Sequence, residues 1–406
     1  MVSWSGRRKA FTILLFIAPT LIGVLLFNVF PIVLNTYVSF TNRNKFHPYP
    51  DCSVALSGIL DPVCWPPFKG HVPAGLGTPY TVQNPAWGNY AGLVGQLFSQ
   101  QALLALLSIV VVALPFFAVG GFNRRYRDRP ADVPIPSGIL WLGAVVVAIV
   151  FALVFNVRGA FDSLLATGDF AVVVLRTLIF VLIRVPLSFA IGLTLALILN
   201  SQHLPGRTFF RVVLFIPWAA SSLAILMALV WQFFFREQGT INQLLRLLNI
   251  TGPSWLQDPT LAFLAIVLAD TWFSYPFFMI VILGALQSVP AEAYEAAEID
   301  GANYWVQLTN ITLPLIRPAI LPAAVLTSIS AFQMFGTAYA MTGGGPVTSA
   351  GKPGATDFVM VYAFKQIFTS QNFGIATAFA VILFIFLFAA TLFSLRYTRL
   401  TKGAYE

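Results

Sequence analysis

Long apolar runs separated by short polar segments make up most of this chain. Eight of these runs approach or exceed the roughly 20 apolar residues that an α-helix needs to cross a bilayer. We predict spans at 11–40, 102–121, 139–157, 170–200, 209–235, 259–286, 319–341 and 373–397. Lipid offers no partners for backbone hydrogen bonds, and the runs are too long for barrel strands. The pattern therefore predicts an all-α polytopic membrane protein with eight transmembrane helices.

The polar segments divide the chain into four regions. These are 1–40 with a tail and the first span, 41–100 with a Pro/Gly-rich loop, 101–169 with a two-helix hairpin, and 170–406 with a five-span core. The core contains a polar, acidic loop at 286–318, and turn signals such as D-P and P-P predict an irregular but ordered structure for 41–100. The first apolar run is too long for a signal peptide, so we expect it to be a retained span.

Composition and charge placement support a membrane protein. Hydrophobic residues make up 58% of the chain and charged residues only 9%, against about a quarter charged in soluble domains. The net charge of +8 is concentrated at the ends of apolar runs, which indicates orientation by the positive-inside rule rather than nucleic-acid binding. The clusters are Arg7, Arg8 and Lys9; Arg124, Arg125, Arg127 and Arg129; Arg207 and Arg211; and Arg396, Arg399 and Lys402. They predict that both termini are cytoplasmic.

The two cysteines, Cys52 and Cys64, both lie in the loop that this topology places outside. We favour a disulfide over two free thiols, because the exterior can be oxidising. Two cysteines alone make a poor metal site, and we interpret the nearby His47 and His71 as solvated loop residues. No metal site is predicted.

The acidic segment between the sixth and seventh spans has the pattern of two small helices. Pro290 suits a first helical turn, and Gly301 allows the backbone to turn. Apolar residues recur at helical spacing over 304–311, and we expect Pro314 and Pro318 to end that helix. An ordinary helical loop on the cytoplasmic side is the alternative interpretation.

This segment closely resembles the EAA loop of the membrane permease subunits of ABC importers, whose pattern is E-A-A, then D-G-A, then I-x-L-P. The matching positions are Glu295, Ala296, Ala297, Asp300, Gly301, Ala302, Ile311, Leu313 and Pro314. The resemblance implies a coupling helix that sits in a cleft of a separate ATPase subunit. Glu295 would engage a basic group there, Gly301 would provide the bend, and we place Glu292 in the same ATPase-coupling set.

Other stretches are similar to the same family. They are N-Y-A-G-L-V at 89–94, R-V-P-L-S-F-A-I-G-L in the fourth span, and T-G-G-G-P at 342–346. T-G-G-G-P is either a flexible turn or a contact for an external solute-binding protein. The extra hairpin resembles the larger, eight-span permease subunit of maltose-type sugar importers. That subunit carries a large external domain before its fourth span, for which 158–169 leaves no room.

Two ionisable residues lie inside predicted spans. Asp270 is about 17 Å into the sixth span and Arg184 about 21 Å into the fourth, and both spans run inward from the outer surface. Charges at membrane depth are costly and mark functional sites by default. We expect the two to pair, either facing a polar cavity or as an ion pair that only holds two helices together.

The resemblance also implies a sugar site halfway through the membrane. Carried over without gaps back from Glu295, the contact positions in the sixth span are Asp270, Phe273, Ser274 and Phe277, on one helix face. In the seventh span they are Thr327, Ser330, Ala331 and Met334, again on one stripe, and Gln333 is an added candidate. The maltose-type subunit has asparagines where this chain has Asp270, Ala331 and Met334.

The chain carries no phosphate-binding loop of its own. Near the G-K pair of Gly351 and Lys352, prolines occupy positions 346 and 353, where the loop needs Gly and Ser or Thr. His203 and the other histidines lie in predicted loops and form no catalytic set with neighbouring residues. These observations predict a translocating subunit that performs no chemistry.

The resemblance implies the partners and the location. No cofactor is expected in this chain, because a dimer of ATPase subunits would bind ATP and Mg²⁺. A second permease subunit, an extracytoplasmic sugar-binding protein, membrane lipid and an oligosaccharide such as maltose or maltodextrin would be its partners, with no nucleic acid, in a bacterial cytoplasmic membrane. The alternative function is an ion-coupled secondary carrier acting alone, with Asp270 and Arg184 as an ion relay.

Overall fold

A computed structural model gives the fold and describes residues 7–66, 77–125, 137–201 and 204–398. His71, Arg127, Arg129, His203, Arg399 and Lys402 lie outside the described residues, as do the side chains of Arg7, Arg8, Lys9, Arg124, Arg125 and Arg396. Regular secondary structure in the described part is helical, and it is accompanied by three isolated β-bridges.

All eight predicted spans are helical. Span one comprises Arg7–Val24, Leu25–Val29 and Phe30–Ser39; span two is Gln100–Arg125; span three is Ser137–Val154; span four is Asp169–Asn200; span five comprises Arg207–Ala219, Ala220–Leu223 and Ala224–Phe234; span six is Pro259–Leu286; span seven comprises Leu313–Phe332 and Gly336–Thr342; and span eight is Phe373–Thr398. Seven stretches in the described residues are long and apolar enough to cross a membrane. Within the described residues, span three extends over about 27 Å. It ends shortly before Asn156, which takes a left-handed conformation and is followed by a new helix, Val157–Thr167.

The prediction that Pro314 and Pro318 end a helix is wrong. Helix Tyr304–Gln307 continues through a π-helical turn at Leu308–Thr312 into span seven, which contains both prolines. The carbonyl that Pro314 leaves without its usual partner, four residues earlier, lies within that π turn. Local π adjustments of this kind allow membrane helices to tolerate proline.

Pro31 in span one shows the same accommodation. Proline inside a helix commonly kinks or ends it, yet the chain stays helical from residue 7 to residue 39. A π turn at Leu25–Val29 again contains the carbonyl four residues before Pro31. Pro19 lies inside the first helical segment.

Contacts divide the chain into two units, of which the first comprises residues 1–95 and 363–388. Its loop contains helix Ala55–Leu60, a 3₁₀ turn at Pro62–Cys64 and a disulfide between Cys52 and Cys64. Close to this disulfide, the buried Tyr80 hydroxyl donates a hydrogen bond of 2.6 Å to Asp61 Oδ2. Burial and this carboxylate raise the pKa of Tyr80. The loop is thus ordered by a covalent link and a buried polar cluster.

Arg43 completes that cluster. Its Nη1 lies 3.6 Å from Asp61 Oδ2, and its guanidinium lies 5.2 Å from the centre of the Tyr80 ring. Asn89, in helix Gly88–Leu97, donates hydrogen bonds to the carbonyls of Ser39 and Thr41 and so ties the end of the loop to the end of span one. The region predicted to be irregular but ordered therefore contains short helices as well.

The second unit comprises residues 96–362 and 389–406, and span six is its most buried helix. Its core includes Ile266, Phe278 and Ile282, none of which is exposed to solvent. Span six packs closely along span four because Gly192 lies directly against it. A Cβ at Gly192 would come within 2.6 Å of Phe278 Cβ and 2.9 Å of the Tyr275 carbonyl oxygen. Small residues allow membrane helices to approach in this way.

The extra hairpin also belongs to this unit. Spans two and three pack against each other, and helix Val157–Thr167 packs against span two. Ala102 and Ala105 are buried against Ala171 and Val172 at the start of span four. The hairpin is thereby attached to the start of span four.

Gly192→Ala should destabilise the chain by about 1–3 kcal/mol, because the new methyl group would meet backbone atoms of span six that cannot move independently. The free energy of unfolding in detergent, measured by titration with SDS, would test this. Gly284→Ala is the matched control, because no heavy atom other than those of its chain neighbours and its own helix backbone lies within 4 Å of its Cβ position among the described residues. Equal stability of the two variants would contradict the close packing of spans four and six.

Candidate functional site

A cavity of about 500 Å³ lies among spans four to seven. Its wall combines aromatic rings, short polar side chains and two opposite charges. The lining residues are Arg184 from span four; Trp218, Ser221 and Ala224 from span five; Asp270, Phe273, Ser274 and Phe277 from span six; and Leu326, Thr327, Ser330, Gln333, Met334, Phe335, Gly336 and Thr337 from span seven. Rings and hydroxyls of this kind can contact the apolar faces and the polar edges of a small polar molecule.

Two of the lining spans are interrupted where they reach the cavity. Span five changes from α-helix to a 3₁₀ turn at Ala220–Leu223, which contains the lining residue Ser221. Span seven ends its first helix at Phe332 and resumes at Gly336. Irregular backbone at membrane depth is tolerated where it lines a cavity, and interrupted helices commonly form the solute site of transporters.

Most of the predicted site residues line this cavity together. Asp270, Phe273, Ser274, Phe277, Thr327, Ser330, Gln333 and Met334 all line it. Ala331 does not, because it is buried in the helix packing with 1% of its surface exposed. The prediction of one continuous stripe in span seven is also wrong, because Met334 lies beyond the end of the helix.

Sequence reasoning missed the contribution of span five and of the second half of span seven. Trp218 and Ser221 come from the run P-W-A-A-S-S, in which a proline, an aromatic ring and two hydroxyls interrupt an apolar span. That change in composition could have indicated a cavity wall. Thr337 had no comparable signal, because its position depends on the break in span seven.

Arg184 and Asp270 form an ion pair at the cavity wall. Arg184 Nε lies 2.9 Å from Asp270 Oδ2, and only 6% and 10% of the two side chains are exposed. The N–H does not point along the line joining the two atoms, so this contact is an ion pair rather than a directed hydrogen bond. Such burial is tolerable only because the charges compensate each other.

The ion pair also connects three spans. Arg184 Nη1 donates to the Thr327 carbonyl at 3.0 Å, and Thr337 Oγ1 donates to Asp270 Oδ1 at 3.3 Å. These two threonines lie on opposite sides of the break in span seven. One turn further along, the Ser188 and Ser274 hydroxyls are hydrogen-bonded between spans four and six. A continuous polar strip therefore holds the interrupted span against its neighbours.

The acidic segment between spans six and seven contains a short helix, a turn at a glycine, and a second short helix that leads into span seven. Helix Ala291–Ile299 ends at Asp300, and Gly301 takes a left-handed conformation with φ +76°. Pro290 lies at the N-cap, immediately before the first turn where it was predicted. The Asn303 side chain then caps helix Tyr304–Gln307 by accepting from the Val306 N–H.

A hydrogen bond braces the two parts of this segment. The Tyr294 and Thr312 hydroxyls lie 3.0 Å apart and join the first helix to the π turn before span seven. Glu292 and Glu295 are exposed on the first helix, as is Ala296, whereas Ala297 is half-buried. Ile299 and Trp305 are 87% and 69% exposed. The segment thus presents acidic and apolar side chains outward from a braced base.

Removing one charge of the buried pair should be much more costly than removing both. We expect Arg184→Gln or Asp270→Asn alone to destabilise the chain by about 3–5 kcal/mol, because each leaves an unpaired buried charge. The double variant should be more stable than the sum of the single changes predicts, by at least about 1 kcal/mol. The free energy of unfolding in detergent measures both quantities.

Lys352 and Asp169 provide the matched control. Their ion pair spans 3.1 Å, but the side chains are 33% and 28% exposed. Lys352→Gln and Asp169→Asn should each cost at most about 1 kcal/mol. Strictly additive costs at Arg184 and Asp270 would argue against their pairing.

Comparison with known proteins identifies relatives among transport permeases. The chain is 35% identical over 227 residues to the trehalose/maltose transport system permease protein MalF of Thermococcus litoralis, which covers 56% of this chain and 74% of that protein. It is 30% identical over 311 residues to the galactooligosaccharides transport system permease protein GanP of Bacillus subtilis, which covers 75% and 70%. The maltose/maltodextrin transport system permease protein MalF of Vibrio vulnificus is 33% identical over 233 residues, and the match spans only 44% of its length.

A solved structure shares the fold. A chain in the crystal structure of a bacterial alginate ABC transporter, in complex with alginate pentasaccharide-bound periplasmic protein, superposes with a TM-score of 0.50 at 22% identity. The match covers 69% of this chain and 99% of that one. Residues 188–400 match the family described as "Binding-protein-dependent transport system inner membrane component". The chain therefore belongs to this family of membrane-spanning ABC transporter permeases.

Proposed function

We propose that this chain is one of two permease subunits of an ATP-driven importer for an oligosaccharide, such as maltose or maltodextrin. The observation that carries the proposal is the cavity among spans four to seven, with aromatic rings beside hydroxyl and amide groups. Relatives named for maltose, trehalose and galactooligosaccharide transport support the choice of substrate class. The chain would pass the sugar from one set of contacts to the next along the pathway. It would not alter the sugar chemically.

The cavity offers what a sugar needs. Phe273, Phe277 and Trp218 present aromatic surface for the C–H faces of a sugar ring, and Ser330 and Gln333 present polar groups for its hydroxyls. Trp218, Ser330 and Gln333 are exposed, so a ligand in the cavity can reach them. These five residues, with Asp270, Ser274, Thr327 and Met334, form the proposed substrate site. Ala331 is not part of this site, because it is buried in the helix packing.

The acidic segment is the proposed link to the energy source. Glu292, Glu295, Ala296, Ala297, Asp300 and Gly301 would dock in a cleft of a separate ATPase subunit that binds ATP and Mg²⁺. Two features support this role: the outward-facing Ile299 and Trp305, and the Tyr294–Thr312 bond that braces the segment. Pro314, inside the start of span seven, would carry the movement into the span that breaks at the cavity.

ATP binding would close the ATPase dimer and favour the state in which the cavity opens outward, and hydrolysis would reset it. A soluble sugar-binding protein would deliver the ligand from outside, and the second permease would complete the pathway. Both termini of the chain would face the cytoplasm of a bacterial cell. The ion-coupled carrier is not favoured, because the family is one of ABC importers.

Glu295→Lys should abolish sugar uptake and lower co-purification of the ATPase at least tenfold, because it reverses a charge at the docking surface. The chain should still reach the membrane, since Glu295 is exposed and makes no ion pair among the described residues. Uptake of labelled maltotriose and the ATPase recovered with the tagged chain are the two measurements.

Arg246→Glu serves as the control, since it reverses an exposed charge on helix Thr240–Leu247, between spans five and six. It should retain the ATPase fully. Normal ATPase recovery and uptake with Glu295→Lys would exclude the coupling role assigned to the segment.

A further inference from the structure

We infer that the Arg184–Asp270 pair makes the cavity selective for uncharged glycans, and that Asp270 excludes acidic ones by neutralising Arg184. This inference rests on the proposed function, because it assumes that a glycan enters this cavity. It adds a charge requirement that the aromatic and hydroxyl groups alone do not impose.

The charges at the cavity wall balance each other. Arg184 and Asp270 are the only charged residues among those that line it. Their charged atoms lie 2.9 Å apart, so the cavity carries one positive and one negative group and no net charge. A neutral ligand meets a dipolar patch that can both donate and accept hydrogen bonds.

An acidic ligand would disturb this charge balance. A carboxylate on the sugar would compete with Asp270 for the same guanidinium. Arg184 is also held by the Thr327 carbonyl, so it is not free to turn towards a second anion. If the ligand displaced Asp270, that buried carboxylate would lose its cation and keep only the hydrogen bond from Thr337. If it did not, two carboxylates would lie close together in a medium that screens them poorly.

A neutral ligand can use polar groups in span seven that the ion pair does not occupy. Thr327 Oγ1 is buried at the cavity and makes no hydrogen bond within the described residues. Ser330 and Gln333 are exposed on the same side of span seven. A glycan hydroxyl can donate and accept, so it can satisfy these groups without disturbing the ion pair. The wall therefore favours hydroxyl groups over carboxylates.

Removing the charge of Asp270 would change which ligands the cavity favours. Asp270→Asn would leave Arg184 as an unpaired guanidinium at the cavity wall. Guanidinium groups bind carboxylates through strong, charge-assisted hydrogen bonds. The variant should accordingly gain affinity for an acidic glycan while its affinity for a neutral one changes little or falls.

Equilibrium dialysis with the purified assembly in detergent tests this, with labelled maltotriose and trigalacturonate as neutral and acidic probes. The external sugar-binding protein is omitted so that its own specificity does not filter the ligands. We expect the unaltered assembly to bind maltotriose at least about tenfold more tightly than trigalacturonate. With Asp270→Asn, trigalacturonate affinity should rise about ten- to a hundredfold.

Three further variants separate charge from shape. Arg184→Gln with Asp270→Asn removes both charges and should show no gain for trigalacturonate. Arg184→Gln alone leaves the carboxylate and should bind trigalacturonate no better than the unaltered assembly. The binding ratio of the unaltered assembly tests the inference even if neither single variant assembles. Asp258→Asn makes the same change at the exposed N-cap of span six, away from the cavity, and should leave the binding ratio unchanged.

The outcomes distinguish the inference from the function on which it rests. Binding of maltotriose and trigalacturonate within about threefold of each other would overturn the inference and leave the cavity as a sugar site. A gain for trigalacturonate in the double variant equal to that of Asp270→Asn would overturn it as well. If the unaltered assembly bound neither probe, the proposed substrate site would fail and the inference with it.

Discussion

A charge inside a membrane protein must be compensated, and the Arg184–Asp270 pair satisfies this requirement at the centre of the core. The pair lies where three spans meet, and its hydrogen bonds reach Thr327 and Thr337 on either side of the break in span seven. These two hydrogen bonds stabilise the interruption of span seven at that depth. The ion pair and the interrupted helix are therefore parts of one polar arrangement.

The remaining packing around the cavity serves to hold this arrangement. Gly192 allows spans four and six to approach closely enough for their polar side chains to meet. The Ser188–Ser274 hydrogen bond continues the contact. Around this strip the helices are apolar and tightly packed, with Phe278 and Ile282 fully buried. A rigid base of this kind positions the lining groups from four spans around a shared space.

Much of this could be predicted from the sequence, because hydropathy and membrane thickness constrain helices strongly. Asp270 and Arg184 lie at matching depths in neighbouring spans, and depth alone was enough to suggest their contact. Pro314 was misread because sequence shows the lost hydrogen bond but not the π turn that accommodates it. Ala331 was misplaced because local sequence does not show which side of span seven packs against its neighbours. Thr337 was missed because its position depends on the break in span seven, which local sequence only weakly signals.

The fold by itself does not identify the cargo, since a chain of an alginate transporter shares it at 22% identity. The identity of the ligand must come from the side chains at the cavity. The most direct measurement is an experimental structure of the purified assembly with maltotriose bound. We expect a sugar ring against Phe273 and beside Gln333, with Arg184 and Asp270 still paired. Sugar bound elsewhere in the membrane region, with this cavity closed by side chains, would contradict it.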